Sequence, residues 1–327
     1  METCTAIAIA SPNIALIKYW GNADDRLRLP ASPSISFNLA GLQTRTRVDW
    51  EDRLATDEVI INGEEVTGAT RDRVVHHLDH IRRLSGHQGF ARVDSSNNFP
   101  AGAGIASSAS AFAALSLAAT AALGMRLSER ELSTLARLGS GSAARSIPGG
   151  YVAWYTGATH EDSYAESFAP PDYWDLVDLI AVVSRAHKTT GSTAGHVIAA
   201  TSPLQSARLA TAQERFERCR AAILARDFAA LAPVVELDSN VMHSVMMTGN
   251  PSLLYWEPAT LGVMHQVRRW RDSEGLDVCF TIDAGPNVHC ICTAAAATVI
   301  EPRLRQLPGV LQVYRAVPAG PARLETA

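Results

Sequence analysis

The sequence predicts a mixed chain of helices and strands, with room for one large or two medium domains. Three observations carry this. The 327 residues are 47% hydrophobic, enough for a sizeable core. Apolar runs of strand length and helix length follow one another along the chain, with Pro170-Pro171 the best boundary between two halves. A tract of tiny residues, Asn97-Asn98-Phe99-Pro100-Ala101-Gly102-Ala103-Gly104-Ile105-Ala106-Ser107-Ser108-Ala109-Ser110, runs straight into the alanine-rich segment 111–123. Tiny residues let a backbone approach another molecule, serine favours a helix start, and the alanines are strong helix formers. Loop, serines and helix together present unpaired N–H groups and a dipole end to phosphate. An alanine-rich core helix behind an ordinary turn is the plainer alternative. A Walker A loop is excluded, since no lysine lies in the tract, and Gly102-x-Gly104 lacks the third glycine or alanine at the dinucleotide-loop spacing.

A net charge of −4 gives no basic field, which argues against nucleic acid as a partner. No apolar run is long enough to span a membrane, and Met1-Glu2-Thr3-Cys4 lacks the basic start of a secretory signal. Cys4, Cys219, Cys279, Cys290 and Cys292 are odd in number and without zinc spacing, which points to a reduced cytoplasm.

In chain order, 5–10 reads as a strand, Ser11-Pro12-Asn13 as a turn, and 14–21 as a second apolar run carrying Lys18. A lysine among buried residues wants an anionic partner, unless it snorkels from a strand end. Residues 34–39, 44–50 and 58–61 read as strands, with Asn62-Gly63 a hairpin turn. Residues 71–84 form an amphipathic helix whose His76, His77 and His80 read as a solvated face, not a metal site. Ser128 and Glu131 make a capping box for a helix to Leu138. Gly139-Ser140-Gly141-Ser142-Ala143-Ala144-Arg145-Ser146 is a second small-residue segment, leading to a strand at 151–154. One arginine amid serines and glycines suits a carboxylate or phosphate clamp, or a structural ion pair.

Beyond Pro171, 176–184 reads as a buried strand and Lys188-Thr189-Thr190-Gly191-Ser192-Thr193 as a polar loop. Helices follow at 203–226, 227–247 and 258–271, then strand 278–282, strand 288–293, a helix near 295–306 and strand 310–317. Asp283-Ala284-Gly285-Pro286-Asn287 puts a carboxylate at the end of an apolar strand on a stiff turn. It is either a cleft residue or an Asx-turn residue.

Together these pieces resemble the mevalonate diphosphate decarboxylase family of the GHMP kinase superfamily. The matching residues are 13–21, Asn97-Asn98-Phe99-Pro100, Gly104-Ile105-Ala106-Ser107-Ser108-Ala109, 139–146, Asp238-Ser239-Asn240-x-x-His243 and 283–287. The resemblance implies an α+β GHMP-kinase fold. Residues 1–172 would be a ribosomal-S5-like, ATP-binding domain and 173–327 a ferredoxin-like domain, with substrates between them. It implies ATP-dependent phosphorylation of a tertiary hydroxyl followed by loss of phosphate and CO2, with ATP and Mg2+, in a cytoplasmic homodimer that binds neither nucleic acid nor membrane.

Residue by residue, Asp283 would take the hydroxyl proton, beside Lys18, while Arg145 and Asn13 hold the departing carboxylate. Asn98, Pro100, Gly102, Gly104, Ser107 and Ser108 would hold ATP, Ser108 also meeting the metal. Tyr19, Asn22, Ser140, Ser142 and Ser192 would face the 5-phosphate end. Diphosphate-specific members carry lysine after Tyr-Trp-Gly, where this chain has Asn22, so the expected substrate is mevalonate 5-phosphate. Arg26 and Arg28 are the nearby cations able to replace that lysine. A kinase without decarboxylation and a non-catalytic binding module are the alternatives from other classes.

Overall fold

The computed structural model describes residues 4–99, 107–186 and 191–325. Pro100, Gly102 and Gly104 lie outside the described residues, as does the Ser192 side chain. Alternation of apolar and polar side chains builds a six-stranded sheet, in the order Arg323–Leu324, Cys4–Ala10, Thr44–Glu51, Phe90–Asn97, Glu58–Ile61, Glu64–Glu65. Glu58–Ile61 and Phe90–Asn97 run parallel, so the chain between them crosses over through the helix Gly68–Ser85. The alanine-rich helix Ser107–Ala122 lies on this sheet, its small side chains allowing close approach, and Trp50 Nε1 donates to its Ala119 carbonyl at 3.0 Å.

One expectation fails on this helix pair. His77 is buried rather than solvated and bonds Ser116 Oγ at 2.8 Å, its imidazole pushed down to about 3 by burial. Only His76 of the three is exposed. The 3.6-residue period carries position 77 inward with Val74, Leu78 and Ile81.

A second sheet orders Ala165–Ala169, Tyr151–Trp154, Ser34–Asn38 and Asn13–Ile17. The third orders Val278–Thr281, Val288–Thr293, Leu176–Val182 and Gln312–Ala316, all antiparallel. In chain order its strands stand second, third, first, fourth, the ferredoxin-like arrangement. The expected helix over 203–226 is two helices, Gln205–Ala210 and Ala212–Ala225. They break at Thr211, where the Arg215 guanidinium takes the Arg208 carbonyl at 3.0 Å. The polar loop expected through Thr193 is helical from Ser192 to Ala199.

One apolar cluster spans both halves, joining Ile14, Phe37 and Tyr151 to Phe216, Val235 and Ile291. The tail also crosses the division at 172/173. Ala319 N–H donates to Asn38 and Ala322 N–H to Ile147, before Arg323–Leu324 pairs with the first strand.

Candidate active site

A cleft of about 750 Å3 opens where the strand Asn13–Ile17, the Ser107–Ala122 helix start, the 140–145 turn and the 283–284 loop meet. Lys18 follows its strand into the interior and is 1% exposed. Its Nζ donates to Asp283 Oδ1 at 2.5 Å, and the Asp283 side chain, 26% exposed, faces the cleft. Burial pushes the Lys18 ammonium down from the ordinary lysine range, against the pull of Asp283. Burial works in the opposite sense on Asp283, but Lys18, His289 and Arg145 outweigh it and hold the carboxyl below the usual range. Asp283 is therefore a carboxylate at neutral pH, with the Lys18 amine in contact with it. Neither the snorkelling lysine nor the Asx-turn carboxylate describes the pair.

Side chains from the middle of the long helix Phe228–Thr248 fix both partners. Asp238 Oδ2 accepts the Lys18 backbone N–H at 2.6 Å, and its Oδ1 accepts Arg215 Nε at 2.7 Å. Ser239 Oγ accepts the Ile282 N–H at 3.0 Å, and His243 Nε2 donates to the Ile282 carbonyl at 3.2 Å. Arg208 donates to the carbonyls of Trp20 and Lys18, at 2.8 and 2.7 Å. These bonds leave the Lys18 strand end and the Asp283 turn little freedom to move apart.

Arg145 is buried with no carboxylate in ion-pair range among the described residues. Its Nε donates to Ser36 Oγ at 3.1 Å and Asn13 Oδ1 at 3.3 Å, and its Nη1 to Ser34 Oγ at 2.7 Å. Nη2 makes no hydrogen bond among these residues, and Arg145 lines the cleft. Burial lowers the guanidinium to about 10, so it stays charged at neutral pH. Asn13 Nδ2 is bound in turn to Ser146 Oγ at 2.8 Å. Ser108 and Ser140 hydroxyls stand 3.2 Å apart, and Ser140 and Ser142 3.4 Å, forming a hydroxyl row across the cleft.

Two matching models divide the chain: the diphosphomevalonate decarboxylase-like N-terminal domain over residues 10–165, and the mevalonate 5-diphosphate decarboxylase C-terminal domain over 178–310. A phosphomevalonate decarboxylase of Haloferax volcanii is 35% identical over 284 residues, 87% of each chain. The chain belongs to the mevalonate diphosphate decarboxylase family. Among solved structures, mevalonate diphosphate decarboxylase from Staphylococcus aureus superposes at a TM-score of 0.94, with 35% identity over 99% of each chain. MDDEF in complex with MVAPP, AMPPCP and magnesium also gives 0.94, with 32% identity over 100% of each. The fold is accordingly the α+β GHMP-kinase fold of this ATP-dependent decarboxylase family.

Two residues expected in the family's site stand elsewhere. Asn98 turns away and bonds the 41–43 turn, accepting Gln43 N–H at 2.8 Å and donating to the Gly41 carbonyl at 2.9 Å. Strand alternation instead gives Asn97 to a groove of about 260 Å3 beside the cleft, lined by Val59, Val93, Phe112 and Leu115. Asn22 stands behind Tyr19, accepting its hydroxyl proton and donating to Asp25 Oδ1 at 2.8 Å. Ser107, Ser108, Tyr19, Ser140 and Ser142 all line the cleft. Of the two candidate cations Arg28 reaches it, Arg26 does not, and Arg73, unremarked in the sequence, lines both cleft and groove. Ser34 and Ser36 were also unremarked, although serines two apart on a strand share a face.

Proposed function

We propose that the protein transfers the γ-phosphoryl of ATP to the tertiary 3-hydroxyl of mevalonate 5-phosphate. Phosphate and CO2 then leave and isopentenyl phosphate remains. The observation that carries this reading is the ionised Asp283, paired to buried Lys18, in the same cleft as the open Nη2 of Arg145. Asp283 accepts the hydroxyl proton as the oxygen attacks, and Lys18 offsets the negative charge gathering there. Arg145 holds the C1 carboxylate until the C1–C2 bond breaks. That electron pair forms the C2–C3 double bond and expels the 3-phosphate.

The Ser107–Ser108 helix start would hold the nucleotide phosphates, with the apolar groove beside it for the base. Among the described residues no cluster of three carboxylate, imidazole or thiol groups is able to hold a metal. Magnesium would be carried on ATP oxygens and met by Ser108, where it would neutralise charge on the transferring phosphoryl. The same reading assigns 1–172 to nucleotide binding and 173–327 to the second domain.

The monophosphate is favoured because position 22 offers a neutral amide already committed to Tyr19 and Asp25. The diphosphate is the second reading, and the presence of Arg28 on the cleft favours it. Turnover of mevalonate, its 5-phosphate and its 5-diphosphate side by side, with ADP and CO2 measured, tests both. ADP without CO2 would make the protein a kinase alone, and no ADP from any of the three would refute the proposal.

A further inference from the structure

His196 stands in the cleft wall with one ring nitrogen fixed and the other open. It comes from the helix Ser192–Ala199 and is 9% exposed. Nδ1 accepts the Gly21 backbone N–H at 2.9 Å, which leaves the proton of the neutral ring on Nε2. The ring lies against Tyr19, centroids 4.1 Å apart and 30° between planes, and against Trp20 at 4.8 Å and 39°. Gly195 permits this approach, since a Cβ there would stand 2.3 Å from Trp20 Cη2. The Nε2–H makes no hydrogen bond among the described residues, while the residue itself borders the cleft. A donor fixed in direction and open to the cleft is placed to meet an acceptor that a ligand brings. Arg28 and Arg145 line the same cleft, so the local field attracts an anion. Burial, then Arg28, Arg208 and Arg145, push the imidazole down to about 3, so the donor is neutral at working pH.

We propose that His196 is a specificity-determining residue, its Nε2–H donating to a non-bridging oxygen of the substrate's 5-phosphate. The inference rests on the reading that the substrate carries a phosphate at C5, and it holds for the mono- and the diphosphate alike. It explains why the ring is held against Tyr19 and Trp20 and at Nδ1: a neutral donor discriminates only when its direction is fixed.

The test pairs kinetics with a direct view of the ring. In His196→Leu, KM for the preferred 5-phosphorylated substrate should rise roughly tenfold to hundredfold, the loss of one hydrogen bond to a charged group. KM for ATP should stay unchanged. His196→Gln, which keeps an N–H near the Nε2 position, should recover most of the loss. Equal defects in the two variants, or an unchanged KM in His196→Leu, would overturn the proposal. In wild-type enzyme with 15N-labelled histidine, His196 should show the Nε2–H tautomer, and its Nε2 signal should move on adding mevalonate 5-phosphate but not mevalonate. No movement at saturation would overturn it even if the leucine variant failed to fold. If no substrate is turned over, titration with inorganic phosphate still decides the point: a shifted Nε2 signal supports phosphate recognition and an unshifted one refutes it. The decarboxylase reading would have failed separately.

Discussion

At the scale of single residues, Asp283 and Arg145 make separable predictions. Asp283→Asn should lower kcat by ~10²–10⁴ while nucleotide binding, measured by fluorescence titration, is retained. The carboxyl is depressed in the folded protein, so it stays ionised through the ordinary carboxylate range, and activity is lost only as pH falls through the lowered value. Lys18→Met removes the main group opposing burial, so the acid limb of its kcat/KM profile should move upward. A limb left in place would mean that Lys18 does not set the charge of Asp283. Arg145→Lys keeps the charge and loses the fork, and should cut kcat/KM by at least tenfold. Wild-type kinetics in that variant would leave Arg145 a purely structural role. These residue types were readable in the sequence because each is a lone charge in an apolar or tiny-residue setting. The serine partners of Arg145 were not: Ser34 and Ser36 lie 111 and 109 positions away, and nothing local marks them.

At the scale of elements, the helix Phe228–Thr248 sends Asp238 to Lys18 and both Ser239 and His243 to the Asp283 strand. Asp238→Asn would leave the buried Arg215 without its counter-charge, and breaking a buried pair costs about 3–5 kcal/mol. We expect a loss near the lower figure, because the amide still accepts hydrogen bonds, read from the midpoint of urea unfolding. Activity should fall further than stability explains, since the Lys18 backbone loses its anchor. Unchanged unfolding would show that solvent already compensates Arg215. The motif was visible as a run of polar residues in a helix, yet its task was hidden, because Lys18 lies 220 positions upstream. Helix and strand identities were legible from period, whereas choices between adjacent positions were not. Asn97 rather than Asn98 on the groove, and His77 inward, were decided by the packing phase of each element.

At the scale of the whole molecule, the order of motifs made the fold legible, while substrate choice depends on how one end of the cleft is furnished. Asn22→Lys should raise kcat/KM for the diphosphate relative to the monophosphate, by roughly tenfold if the ammonium is not captured by Asp25. No change in that ratio would mean that Arg28 already serves the distal phosphate. The distance along the chain between Lys18 and Asp283, 265 positions, has a consequence for how the protein is born. A chain emerging from the ribosome carries Lys18 and the small-residue tract 97–110 long before Asp283 exists. The first strand likewise waits for Arg323–Leu324 to cover its edge. Contacts of such sequence separation form late and slowly. If the proposed roles hold, the nascent protein builds its nucleotide cradle well before it holds the carboxylate that turns a hydroxyl against the nucleotide. On the proposed reading its chemistry arrives only with Asp283, 265 positions after Lys18.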